Sequence, residues 1–254
     1  MRNHNMLDYI HGEFYKVIHR KYTWWFLLAM LAGAGLLVAG WAYTNANGND
    51  VGFATGAGIL GIMLTVGLYC TLITGDIVFS DQYKFNTLKN EVSYGVPRTR
   101  IYLGKLLVSC VVAIIACVII IGFYLALCWV VLPHSAADGE IMKLLGFSVL
   151  NALPLWLGSQ ALVMLCLSFF KGSTVASFVF IGIIMGLPEI LKLMGLLIDP
   201  AIAGARAYLL TGPFDVQIKG VDWGFFGKSC IIGAAWFAVT TFAGTFAFRK
   251  REIS

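Results

Sequence analysis

Few residues in this chain have the types and spacing that chemistry needs. Gly227-Lys228-Ser229 imitates the close of a phosphate-binding loop, but the first glycine of G-x-x-x-x-G-K-[ST] would fall at position 222, which is Asp222. His4, His11 and His19 sit near the start and His134 stands far away, and no HExxH, GxSxG, membrane-embedded Ser/His or paired-Asp arrangement is present. Cys70, Cys110, Cys117, Cys128 and Cys166 lie inside apolar runs and Cys230 begins one, which matches neither a disulfide framework nor CxxC metal spacing. These patterns point away from a catalytic or metal-binding chain. What remains is a set of polar groups in apolar sequence: Asp76, Asn151, Gln160, Glu189 and Lys192. A charge in hydrocarbon costs ~2.5–3.5 kcal/mol even on the lenient insertion scale, so each such group needs a partner, a proton or water. Asn151 and Gln160 either line a polar route or bond a neighbouring helix. Glu189 follows Pro188 and precedes Lys192 by one helical turn, so it forms either a surface ion pair or, if Pro188 opens the helix, an inward-facing carboxylate.

The elements that must position these groups are membrane spans. The 254 residues are 59% hydrophobic and 12% charged, with a mean hydropathy of +0.82, too little polar surface for a soluble globule. Six runs reach the ~20 residues that cross a ~30 Å hydrocarbon layer as helices: 22–44, 53–78, 103–132, 144–170, 172–197 and 229–248. The expected fold is an all-α membrane protein forming one transmembrane domain over 1–254. Twenty polar or mixed residues precede the first run and no small-residue cleavage site follows it, so it reads as a retained span. Over residues 1–21, Met6, Ile10, Phe14 and Val17 recur at helical steps with Asp8, Glu13 and Lys16 on other faces, which suits an amphipathic helix in the interface plane better than a plain polar leader. Pro154 predicts a kink in the fourth span. Segment 199–228 is too apolar for a free loop and too rich in Gly and Pro for a span, and reads as short helices dipping back into the outer leaflet.

Charge orients the bundle. Between the second and third runs, segment 79–105 carries Lys84, Lys89, Arg98, Arg100 and Lys105, and short cation-rich connections stay in the cytoplasm. With both termini inside, 13 of the 18 Lys and Arg residues fall on the inner side. The cations form no dense tail, so nucleic acid is not an expected partner; membrane lipid is.

The stretch Asp81 to Lys105, set in this six-span frame, resembles the permeases of the type 2 family of ATP-binding-cassette exporters. That family tends to show an acid, then Gly-Thr, then an amphipathic turn ending in Ser-Arg and a Lys. This chain has Thr87, Tyr94-Gly95-Val96-Pro97-Arg98 and Gly104-Lys105, but Gln82 where an acid is usual and Asn86 where glycine is usual. The resemblance implies a permease that binds no cofactor itself, ATP and magnesium being held by a separate cytoplasmic ATPase subunit. It implies a second copy of the chain or a related permease as partner, in the bacterial inner membrane. Residues Asp81, Gln82, Thr87, Lys89, Glu91, Tyr94 and Arg98 would form the coupling helix against the ATPase, with the N-terminal helix beside it. Glu189, Pro188, Asn151 and Gln160 would belong to the substrate path or outer gate. Small permeases of this type resemble exporters of antimicrobial or amphipathic peptides, serving export or self-immunity; hydrophobic drugs or sodium are the alternative cargoes. A non-transporting sensor subunit is the rival outside transport, and an ion-coupled carrier would need internal repeats and more midplane charges than Glu189 and Lys192.

Overall fold

The structure is a computed structural model describing residues 6–79, 91–93, 95–170, 172–216, 218 and 220–250. Among these every regular element is helical. In order they are α1 (Met6–Ile18), α2 (Lys21–Ala46), α3 (Phe53–Met63), α4 (Val66–Phe79), α5 (Arg98–Val131), α6 (Asp138–Phe169), α7 (Ser173–Ile181), a π-turn (Gly182–Gly186), α8 (Leu187–Leu197), α9 (Pro200–Gly204) and α10 (Trp223–Lys250), with 3₁₀ turns at Ala205–Tyr208 and Gly212–Asp215. Five spans are long and apolar enough to cross a bilayer, and six if α3 and α4 are one broken span.

That break departs from the continuous second span expected over 53–78. Helices α3 and α4 meet at 59°. Trp156 of α6 is wedged at the corner, its indole N–H donating at 3.1 Å to the Leu64 carbonyl, which also accepts the Gly67 N–H of the turn at 3.0 Å. Helix α6 runs from Asp138 to Phe169 with Pro154, where the sequence predicts a kink, inside it. Its Pro154 backbone lies directly against Gly233 of α10, where a Cβ would collide with it. Close backbone approach through a small residue is the usual way helices pack in lipid. In the fifth span Pro188 is preceded by the π-turn, a common local adjustment of helical hydrogen bonding.

Helix α6 is the axis of the bundle, with 72% of its most apolar window buried, against 17% for α2 and for α5. It packs chiefly on α10 and α4. Segment 199–216 folds its short turns back onto this core: Leu210 is buried against Gly158 of α6, and Trp236 of α10 donates to the Tyr208 carbonyl at 3.1 Å. Two helices begin earlier than hydropathy implies. Asp138 accepts bonds from the Ser135 N–H and hydroxyl just ahead of α6, and Asp222 accepts from the Gly224 N–H at the head of α10. At α10 this satisfies a helix-end donor, whereas Asp138 ties down the turn that leads into α6.

Candidate functional site at the loop end of the bundle

The connection between α4 and α5 enters α5 through Pro97, which sits at the helix N-cap. Pro97 suits that place because it has no N–H to leave unpaired. Arg98 and Arg100 occupy the first turn, where the helix dipole disfavours cations. Arg98 finds compensation across the bundle, donating to the Arg249 carbonyl at 2.8 Å, at the electronegative end of α10. Residues 91–93 are helical and carry Glu91.

One turn further along α5, Gly104 has no side chain, and the Tyr9 ring of α1 lies in the space a Cβ would take, 2.6 Å from its position. The apolar stripe of α1 therefore rests on protein: Val17 is buried with Phe26, Ile77, Val78 and Val108, and Ile10 and Phe14 pack beside them. Docking α1 this way also buries charge. Lys105 Nζ lies 2.5 Å from Glu13 Oε2 and 3.9 Å from Glu91, with side chains 2% and 3% exposed for Lys105 and Glu13. Lys16 reaches Glu13 at 2.6 Å and Glu91 at 3.3 Å, and the Tyr9 hydroxyl donates to Glu91 Oε2 at 3.0 Å. Two carboxylates and two ammonium groups thus close into one neutral cluster joining α1, residue 91 and α5.

The electrostatics follow from that geometry. Burial alone would raise the Glu13 carboxyl, but the Lys105 ammonium and the hydrogen bonds from Lys105 and Lys16 outweigh it and hold Glu13 below the ordinary value. Burial would lower Lys16, yet its bond to Glu13 and the charges of Glu13 and Glu91 raise it. The Tyr9 phenol is pushed up by burial and then by the two carboxylates beside it. A buried pair left with one partner costs ~3–5 kcal/mol, so the cluster holds together as a unit.

Of the residues expected to contact an ATPase, Glu91 and Arg98 have described positions at this end. Asp81, Gln82, Thr87, Lys89 and Tyr94 lie outside the described residues. Glu13 was missed by the sequence reading, which set it on a face away from the apolar stripe. A usable signal was available, since Lys105 opens an otherwise uncharged run and needs a counter-charge.

The four residues expected on a path do not converge. Gln160 accepts from Thr74 at 2.8 Å inside the bundle and lines an apolar cavity beside α2, α4 and α5. Asn151 donates to the Phe147 carbonyl at 2.7 Å and lines a second cavity of about 480 Å³ beneath Pro213 and Phe214. Pro188 is buried near Leu209 and Trp236. Glu189 lies on the exposed surface, 3.8 Å from Lys192, with two-thirds of its side chain accessible. Gly227-Lys228-Ser229 falls within α10, and Ser229 spends its hydroxyl on the Phe225 carbonyl. Asp76, an open question in the sequence, takes a bond from the Ser173 hydroxyl and so ties α4 to α7.

The family model described as ABC-2 family transporter protein matches residues 9–189, from Tyr9 in α1 to Glu189 in α8, and so takes in the whole ion cluster. No curated protein matches the chain. Members of this family are membrane components of transporters, not themselves catalytic, and act with an ABC ATPase subunit. With its multiple apolar spans and a match covering most of its length, the chain belongs to the ABC-2 transporter family, as a multi-pass permease subunit.

Proposed function

We propose that this chain is the permease of an ATP-driven exporter of antimicrobial or amphipathic peptides, coupled to its ATPase through the α4–α5 connection. The observation that carries the coupling reading is the buried cluster of Glu13, Lys16, Glu91 and Lys105, which ties the end of that connection to α1 and α5. A push on residues 80–97 from a closing ATPase would pass through Glu91 to both helices, because rigidly paired elements move together where a hydrated loop would absorb the motion. Arg98, bonded to α10, gives the same connection a second hold on the bundle. Peptide cargo is favoured because the spans offer mainly aromatic and aliphatic side chains with a few uncharged polar groups such as Asn151 and Gln160, which suits an amphipathic solute. In this reading ATP and magnesium stay on the partner, both termini face the bacterial cytoplasm, and a second copy or a related permease completes the machine.

The test is reconstitution with an ABC ATPase subunit that copurifies with it. The chain alone should hydrolyse no ATP, and the complex should be stimulated by its cargo, identified by mass spectrometry of the cell molecules that raise turnover. Glu91→Gln and Arg98→Glu should each leave assembly intact and lower stimulated turnover. Full assembly with unchanged stimulation in both variants would overturn the coupling role. A single permease per stimulated complex by mass photometry would overturn the dimer.

A further inference from the structure

The apolar cavity beside Gln160 has a volume of about 470 Å³ and lies between α2, the α3–α4 corner, α5 and α6. Its wall includes Phe26, Met30, Gly33 and Leu37 of α2, and Ala113, Cys117 and Tyr124 of α5. Most of the polar lining is bonded internally: Thr71 bonds Ser159 at 2.8 Å, the Thr74 hydroxyl donates to Gln160 Oε1 at 2.8 Å, and the Trp156 indole bonds Leu64, which leaves the Gln160 amide nitrogen without a partner among the described residues. The volume falls in the ~300–1,000 Å³ range of small-molecule sites, but such sites normally offer several free polar groups to orient a ligand.

The surroundings identify what fills it. Leu37, Met63, Val66 and Ile114 all line the cavity and are 40–48% exposed, so its mouth opens sideways through apolar side chains. The helices that frame the mouth are spans, and hydrocarbon is what lies outside them. From Phe26 to Leu37 the cavity follows α2 for roughly 16 Å of helical rise. Half of a ~30 Å hydrocarbon layer is about that deep. Water would find little to bond to here, and an empty lining would lose its packing contacts outright.

We propose that this cavity is a binding site for one acyl chain of a membrane phospholipid, which enters between α2 and the α3–α4 corner and packs against Trp156. The bound chain fills the space between α2 and the bent α3–α4 pair. The site does not depend on the transport reading: it follows from the shape and depth of the cavity alone.

Gly33 offers a way to test it, because a Cβ there meets nothing within 4 Å, as is also true of Gly40, which lies outside the cavity lining. The probe is a phosphatidylglycerol carrying a diazirine midway along one acyl chain, photolysed in nanodiscs containing the full-length protein. Wild type should give peptide adducts concentrated on Met30, Met63 and Cys117. Gly33→Leu should lose them and should release one phospholipid per chain relative to wild type in native mass spectra from mild detergent, whereas Gly40→Leu should keep both. Far-ultraviolet circular dichroism and a single elution peak show that the Gly33→Leu protein is folded; should it fail, Ala116→Leu fills the same wall. Adducts spread evenly over outward faces such as Val118 and Val130, unchanged by the filling substitutions, would overturn the site. So would a retained molecule that is not a phospholipid.

Discussion

Helix α5 is the most apolar of the spans, and 17% of its apolar window is buried; α6 carries Asn151, Pro154, Ser159 and Gln160, and 72% of its window is buried. In water the order would be reversed. In a bilayer a leucine gains nothing by leaving the lipid for the protein, since both are equally apolar, while amides, hydroxyls and small residues gain partners and close packing by turning inward. Thus Val118 and Val130 of α5 face outward, 66% and 80% exposed, and Ser159 and Gln160 of α6 are sealed against Thr71 and Thr74. The exception on α5 is its inner end, where Lys105 is charged and buried because α1 brings Glu13 to it. Along α6, burial takes in polar and small residues together with the apolar core they pack beside.

That contrast can be broken most severely at the α6–α10 seam. Gly233→Leu would drive a side chain into the Pro154 backbone, which cannot swing aside, and overpacking costs ~1–3 kcal/mol even where side chains can adjust. The variant should fail to yield a monodisperse peak in size-exclusion chromatography. Gly122→Leu on α5, where a Cβ meets nothing within 4 Å, should elute and melt like wild type.

Next in size is the buried charge at the loop end. Lys105→Met leaves Glu13 without its main partner and should loosen α1 by about 3–5 kcal/mol, read as lost hydrogen-exchange protection over residues 6–18. The double substitution Glu13→Gln with Lys105→Met should recover most of that protection, because it removes both charges together. No recovery would mean that the pair is incidental to α1 docking.

Protons should act on the same cluster more gently. Glu13 is held below its ordinary value of 4.5, so its stabilising share is complete above that pH and is lost as pH falls through the lower folded value. Lys16 is raised above 10.5, so its share is complete below that pH and fades only in stronger alkali. Exchange protection of α1 should therefore fall on acidification below 4.5.

The smallest changes belong to the hydroxyl and amide contacts of α4 with α6. Thr74→Val and Ser159→Ala should each cost roughly 0.6 kcal/mol, the average for interhelical hydrogen bonds in a membrane. Val118→Ala on the lipid face of α5 should stay within about 0.5 kcal/mol of wild type. Unfolding in mixed detergent would rank the three, and a larger effect at Val118 than at Ser159 would reverse the inside-out reading of the bundle.

The sequence by itself determined which segments leave water, the side on which cations collect in the expected topology, and the stretch from Asp81 to Lys105 that resembles the family. Each of these is local, since mean hydropathy over ~20 residues, charge in a short connection and a run of matching residues need no knowledge of neighbours. The amphipathic stripe of α1 was likewise legible, but its use was not: Glu13 looks solvated on a helical wheel and becomes buried only because Lys105, 92 residues away, meets it. The bend between α3 and α4 was hidden for a related reason. No proline marks it, and Trp156, which fills the corner and donates to the Leu64 carbonyl, comes from a position 92 residues further along the chain. Tertiary structure alone decided that α6 is central, that Pro154 meets Gly233, and that Asn151, Gln160 and Glu189 occupy separate places, because partner choice among equally apolar helices is set by small-residue contacts and polar pairing, which a single helix cannot express.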